Sequence, residues 1–217
     1  MTSQLLGATL LGNLLVCFAA QVSAFLVPPA MVKFDSVDYK NVLRWTPSSN
    51  DTSLQYYVQW KIYGEAQWQD VEGCQGIGTT YCDLSVETSD AREWYYSRVH
   101  ASSLLAASKS AWAMSRRFSP RSETKISPPR LRPHVVEKGI VVDVKPPHSL
   151  KKMQKKLWYK IYLIHATGEE DLFEICSQQL VINKLSSGTE YCLQVQTLIP
   201  LQGKTSVRSS LRCATPL

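Results

Sequence analysis

The sequence predicts an all-β protein made of two tandem β-sandwich domains, and three observations carry that prediction. The stretch Tyr56-Tyr57-Val58-Gln59-Trp60-Lys61-Ile62-Tyr63 returns about a hundred residues later as Leu157-Trp158-Tyr159-Lys160-Ile161-Tyr162, both copies reading aromatic-Lys-Ile-Tyr at their centre. A second echo has nearly the same offset: Tyr95-Tyr96-Ser97-Arg98-Val99-His100-Ala101 against Tyr191-Cys192-Leu193-Gln194-Val195-Gln196-Thr197. Side chains on a strand point alternately to its two faces. Tyr56, Val58, Trp60 and Ile62 therefore share one face, and Tyr57, Gln59, Lys61 and Tyr63 the other, which is the pattern of a half-buried antiparallel strand. Two such strands repeated in order mean two copies of one small β unit.

Residues 1–24 carry no charged side chain, and 5–20 are almost entirely apolar. This reads as a secretory signal peptide cut near Val22-Ser23-Ala24, although the basic residue usual at its start is missing. The apolar run is shorter than the ~20 residues a membrane span needs. The rest of the chain suits two domains of about 100 residues: a first at 25–122, a proline-rich elbow at 123–133 and a second at 134–217. No later stretch is long and apolar enough to cross a bilayer, so a secreted, extracellular chain is expected. Net charge is +6, and all of the excess lies after residue 122, much of it in Lys151, Lys152, Lys155, Lys156 and Lys160.

In the first domain, residues 30–39 read as a strand and a turn, and 41–45 as the next strand with Trp45 in the core. Residues 47–52 form a loop by composition, and Asn50-Asp51-Thr52 within it is a glycosylation sequon that would hold the loop at the surface. After the strand at 56–63, Gly64 turns the chain into another short strand. Cys74 and Cys82 bracket a glycine-containing segment, and a bridge between them would close a small hairpin worth about 2 to 3 kcal/mol. Residues 85–92 are a polar connection. In the strand at 95–101, Tyr95, Ser97, Val99 and Ala101 face inward and His100 outward. Outward Tyr96 and Arg98 are placed to stack with Trp112, Arg116 or Arg117. Tyr95 and Tyr191 sit where a sandwich keeps a tyrosine whose hydroxyl ties the strand start to the preceding corner.

Pro120, Pro128, Pro129 and Pro133 exclude a central strand or helix through much of 119–133. The elbow should be stiff for the same reason. In the second domain, 139–144 is a strand, 146–156 a loop carrying the lysines, 157–164 the repeat of the organising strand, and 172–176 and 180–185 two more. Residues 191–198 pair with 205–213 around Gln202-Gly203. The midpoint of 192 and 213 is the centre of that turn, which sets Cys192 opposite Cys213 in range for a bridge. Cys176 is left over, and a buried thiol is the default reading, with an intermolecular bridge as the alternative.

The motifs of catalysis are absent: there is no phosphate-cradling glycine loop, no HExxH pair, no G-x-S-x-G, and the four histidines are scattered. No enzyme activity, metal or cofactor is expected. A sandwich hosts its sites in loops, so the function should be recognition, with Tyr63 beside Gly64 as the best aromatic anchor.

The segments 32–45, 58–68 and 82–90 closely resemble the ectodomains of class II cytokine receptors. That resemblance implies a pair of fibronectin type III domains, of the immunoglobulin-like sandwich type, binding a helical cytokine of the interleukin-10 group, here an interleukin-22-like one. It implies contacts from Tyr39, from Lys61, Tyr63 and Gly64, from Thr88, Ser89 and Asp90, from Phe118, and from two loops of the second domain represented by His148 and Leu201. It also supports the pairings Cys74–Cys82 and Cys192–Cys213. A secreted monomeric decoy that blocks a signalling receptor is the leading expectation. A soluble or truncated form of a membrane-bound receptor is one alternative, and a glycosaminoglycan-binding protein acting through Lys151, Lys152, Lys155 and Lys156 is another.

Overall fold

The alternation read from the sequence becomes two sandwiches, each a three-stranded sheet packed on a five-stranded one. The structure is a computed structural model describing residues 26–105 and 107–217, so the signal-peptide reading of 1–24 lies outside the described residues. In the first sandwich, β1 (Ala30–Val37), β2 (Lys40–Thr46) and β5 (Tyr81–Asp83) form one sheet in the order β1-β2-β5. The facing sheet contains β3 (Leu54–Ile62), β4 (Gln69–Ile77), β6 (Tyr95–Ser103), β7 (Ser108–Lys109) and β8 (Ala113–Met114), with β3 between β4 and β6. Its core is the inward set of these strands, with Leu43, Trp45, Tyr56, Val58, Val99 and Ala101 among them. Burying each of Leu43, Val58 and Val99 is worth about 1.5–3 kcal/mol.

The second sandwich repeats the plan. One sheet is β9 (Arg130–Val136), β10 (Gly139–Lys145) and β13 (Gln179–Asn183) in the order β13-β10-β9. The other holds β11 (Trp158–Ile164), β12 (Glu170–Ile175), β14 (Tyr191–Ile199), β15 (Lys204–Thr205) and β16 (Arg212–Ala214). Ile140, Val142, Tyr159, Ile161, Leu193 and Val195 lie in its core.

Both corner tyrosines do what their positions predict. The Tyr95 hydroxyl donates to the Asp90 carbonyl at 2.9 Å, and the Tyr191 hydroxyl accepts from the Ser186 N–H at 3.1 Å, each reaching five residues back. A further repeat was not visible in the sequence. The N–H groups of Val195 and Thr197 donate to the hydroxyls of Ser209 and Ser206, whose own N–H groups donate to the Val195 and Thr197 carbonyls. Ser115 and Ser110 do the same for Ser97 and Ala101. Serine hydroxyls thus stand in for backbone carbonyls where the last strand leaves the ladder, so the donors of a nearly dry sheet stay satisfied. In the second sandwich this absorbs a register change: Cys192 pairs with Cys213, whereas Leu198 already pairs with Thr205.

Both expected disulfides are present. The Cys74–Cys82 bridge, however, closes no two-stranded hairpin. Cys74 lies on β4 and Cys82 on β5, which belong to different sheets. The positive φ of Gly76, +71°, belongs to a bulge within β4, which pairs with β3 again at Ile77 before the chain crosses to β5. Cys176 is unpaired and exposed, not buried: it stands in the bend just past Ile175, the last residue of β12, which is a strand at the sheet edge. His100 is on the outer face as read, yet is covered by Tyr57, stacked at 5.0 Å, and Trp112, edge-on at 4.4 Å. Arg98 lies between Trp68 and Trp112 at 4.2 and 4.4 Å, so the predicted layer forms with a ring from the β3–β4 connection as its second plate.

The stretch read as linker is more structured than its prolines suggest. Pro120–Glu123 form one helical turn, α1, capped by Ser119, and Arg130–Val136 form β9 with Pro133 inside it. β9 is an edge strand, where a missing N–H costs no ladder bond. The lysine loop is likewise no open loop: residues His148–Lys156 form a 3-10 helix, held by the fully buried Leu150.

Candidate functional site

The two sandwiches meet where the β1–β2 hairpin turns. Asp38 and Tyr39 both take positive φ, +52° and +64°, a conformation that hairpins of this length demand and that side-chain-bearing residues adopt at a cost. Hydrogen bonds hold them there. The Asp38 N–H donates to the Lys125 carbonyl at 2.8 Å, the Tyr39 N–H to the Thr124 hydroxyl at 2.9 Å, and the Ser127 N–H to the Asp38 carboxylate at 2.8 Å. Ser149 of the 3-10 helix donates to the other oxygen of Asp38 at 3.3 Å. The ring of Tyr39 packs against the core of the second sandwich, and its hydroxyl donates to Gln202. Burial pushes that hydroxyl's pKa up, partly offset by the Gln202 bond and Arg121. From the other side, Arg121 donates to the Leu201 carbonyl at 3.3 Å, and the Lys204 ammonium to the Ser122 and Thr124 carbonyls at 3.1 and 2.7 Å. The junction is thus bridged by hydrogen bonds from both sandwiches as well as by its prolines.

Three turns of the first sandwich gather beside this junction. Asn41, on β2, is buried and fastens the loop at 84–90: its amide donates to the Thr88 hydroxyl at 2.7 Å, and its N–H to the Ser85 hydroxyl at 2.9 Å. The loop is therefore fixed to the hairpin that carries Tyr39. The Tyr63 N–H donates to the Trp94 carbonyl at 2.7 Å, and Tyr95 exchanges two backbone bonds with Phe118, just before α1. Arg117 lies over the rings of both Tyr63, at 5.1 Å, and Trp94, at 4.3 Å. Tyr63 is thus 55% exposed yet held in place on both sides, with Tyr96 as its second ring neighbour at 6.1 Å. Gly64 has φ +94° and open space around it, so the tight turn needs glycine there.

The remaining predicted residues divide by exposure. Leu201 is 80% exposed, and His148 and Ser89 are exposed as well. Lys61 is half-buried, donating to the Glu65 carbonyl at 2.9 Å beside the Trp68 ring. Asp90 is half-exposed, and its hydrogen bonds from Arg92 hold its carboxyl down to about 2. Thr88 and Phe118 belong to a different class. Both are buried, Thr88 in the Asn41 network and Phe118 stacked on Phe34 at 4.1 Å. Their side chains support the surface and do not form it, which corrects the expectation that they make contacts. Val86, 81% exposed at the tip of the 84–90 loop, joins the surface unannounced. It lies in a polar stretch whose composition gives no hint of an apolar contact. Trp94 was likewise missed. Arg117 is expected as a stacking cation and Gln202 in the turn at 202–203, but their contacts with Tyr63 and Tyr39 come only from the fold.

Exposed apolar and aromatic groups on clamped turns are suited to binding a protein surface, since little side-chain freedom remains to be lost. Asn50 is exposed in the β2–β3 loop, at the far end of the β1–β2 hairpin from this surface. Among the described residues no helix is long and apolar enough to cross a membrane.

Comparison with known proteins agrees with this architecture. The Tissue factor family matches residues 6–112 and the interferon-alpha/beta receptor fibronectin type III family matches 124–216. Human interleukin-20 receptor subunit alpha is 33% identical over 210 residues, covering 90% of this chain, which spans only 38% of that relative's length. Rat interleukin-22 receptor subunit alpha-2 is 32% identical over 199 residues, with 85% of this chain and 86% of the relative covered. The mouse alpha-2 subunit is 31% identical, with 94% and 96% covered. In fold, the chicken interferon gamma receptor alpha chain superposes with a TM-score of 0.77 at 23% identity, over 88% of this chain and 100% of that one. The fold is a tandem pair of fibronectin type III domains, built for recognition and not for enzymatic turnover, and the chain belongs to the class II cytokine receptor family.

Proposed function

We propose that this chain is a secreted receptor module that captures an interleukin-22-like helical cytokine of the interleukin-10 group and withholds it from its signalling receptor. The observation that carries this reading is the clamped junction, where Tyr63, Val86 and Leu201 stand exposed on turns fixed by Asn41, Arg117 and Arg121. A surface of this kind suits a standard interface of roughly 800 Å² per partner. The groups contributed by each sandwich are Tyr63, Gly64, Ser89, Asp90 and Val86 from the first, and His148 and Leu201 from the second. Tyr39 sets their relative position. A glycan on Asn50 would lie away from this surface. Capture needs no chemistry, because slow dissociation and mass action suffice. The 32% and 31% identity to the rat and mouse interleukin-22 receptor alpha-2 subunits supports an interleukin-22-like ligand.

The test is a binding screen of the immobilised mature chain against the interleukin-10-group cytokines, followed by competition with the membrane-bound receptor. Binding of an interleukin-22-like cytokine with loss of signalling is the expected result; binding to none of them ends the proposal. A second reading, the ectodomain of a signalling receptor, is favoured by the 33% identity to interleukin-20 receptor subunit alpha. Transcript mapping past Leu217 separates the two.

A further inference from the structure

We propose that a cleft on the second sandwich, between edge strand β9 and strand β16, binds a sulfated polysaccharide. The cleft has a volume of about 810 Å³ and is lined by Arg130 and Arg132 from β9, Arg212 from β16 and the neighbouring Ser209 and Ser210. Arg44, Arg92, Arg98, Arg117 and Arg208 each face a carboxylate or an aromatic ring. Among the described residues Arg130, Arg132 and Arg212 have neither, nor any side-chain hydrogen bond.

Neighbouring acids do not neutralise them. Asp143 is the cross-strand partner of Arg132, but its carboxylate is held by His134 at 2.9 Å and by the Gln179 amide at 2.9 Å. Arg130 lies directly opposite Lys145 in the β9–β10 register. Like charges in that position destabilise a sheet. Arg132, two residues along on the same face of the strand, brings a third cation within roughly 7 Å of Arg130. The free chain therefore carries a local repulsion that a bound anion would relieve.

Arginine forks suit sulfate oxygens, which accept paired N–H bonds. The cleft is also much larger than one ion, which points to several linked anions. Its lining argues against a protein partner. It offers guanidinium, imidazole, hydroxyl and proline groups with no tryptophan, tyrosine or phenylalanine beside the arginines, so the large apolar area that accompanies arginine in protein hot spots is missing. A polyanion bound through counterion release needs no such area. This surface is separate from the cytokine reading and does not depend on it.

The test is retention of the whole chain on immobilised heparin in a sodium chloride gradient, alongside solution affinity measured against salt. Arg130→Gln, Arg132→Gln and Arg212→Gln together should lower affinity at least about tenfold and flatten the log–log salt slope by about 2 to 3, with an unchanged thermal midpoint. Removing Lys33, Lys109 and Arg116 by Gln substitution takes the same net charge from the first sandwich and should leave retention near the parent's. The proposal fails if the arginine variant elutes with the parent, or if the first-sandwich variant is shifted equally. It fails too if Lys151, Lys152, Lys155 and Lys156 changed to Gln account for the whole loss, if unsulfated hyaluronan binds as well as heparin, or if a sulfotyrosine peptide binds where heparin does not.

Discussion

The hydroxyl of Tyr39, on the first sandwich, donates to the side-chain oxygen of Gln202, on the second. Because the same tyrosine is held in a positive-φ turn by the segment leading to the second sandwich, this bond converts a local turn geometry into the angle between the two domains. Tyr39→Phe keeps the packed ring and removes only the bond, which should cost about 0.5–1.5 kcal/mol. Paired with Gln202→Leu in a double-mutant cycle followed by urea unfolding, the two changes should show a coupling of at least about 0.5 kcal/mol. Strictly additive costs would mean that the two residues only coincide in space.

Tyr63 is the strongest candidate for a binding hot spot, being aromatic, exposed and steadied by Arg117 on one side and Tyr96 on the other. Tyr63→Ala should weaken cytokine capture by about 2 kcal/mol or more, close to thirtyfold in Kd. Arg117→Ala should have a smaller effect, about 0.5–1 kcal/mol, by releasing the ring and not by losing a contact. Calorimetric titration of both variants checks this ordering, and an unchanged Kd for Tyr63→Ala removes it from the site.

Asn41 makes a prediction about stability alone. Its side chain accepts from the Ser36 hydroxyl at 2.5 Å and donates to Thr88 at 2.7 Å, all three residues being buried. Asn41→Ala strands Ser36, and a buried polar group left without a partner costs about 1–3 kcal/mol. The unfolding midpoint in urea should fall accordingly, and the 84–90 loop should exchange its amide protons faster. A midpoint unchanged from the parent's would show that water replaces the amide at no cost.

Much of the fold was legible because it is periodic. The alternation at β3 and β11 and the two corner tyrosines come from repeats that a linear chain displays directly, whereas the Cys192–Cys213 pairing holds although the strands leave the turn in another register, because Ser206 and Ser209 absorb the difference. What escaped depends on which strands become neighbours across a gap. Cys74 and Cys82 look like a hairpin pair by spacing, but β5 joins β2 instead of β4. Cys176 ends an apolar run, but that run becomes an edge strand. Asp38-Tyr39 is not a dipeptide that announces a positive-φ turn; distant partners such as Lys125 and Thr124 impose it. The site suffered most from this, since Thr88 and Phe118 are turned inward by Asn41 and Phe34, and Val86 is turned outward by the same loop.

His100 links the outer aromatic layer of the first sandwich to pH. It is enclosed by Tyr57 and Trp112, and desolvation by that burial holds its pKa below the ordinary imidazole value of 6.5, with Lys109 and Arg98 acting in the same direction and a backbone bond at Ala101 opposing them. The unfolded chain therefore binds the proton more readily than the folded one, so stability contributed by the neutral imidazole is present above pH 6.5 and declines as the pH falls toward the depressed value. Urea midpoints measured at pH 7.5 and at pH 5.5 should drop for the parent. His100→Phe, which keeps a ring between Tyr57 and Trp112 but cannot titrate, should drop less over the same interval. Parallel profiles for the two proteins would assign the loss to other groups. They would also show that the imidazole takes up its proton inside the stack as easily as in water, which its two flanking rings and the cations beside them argue against.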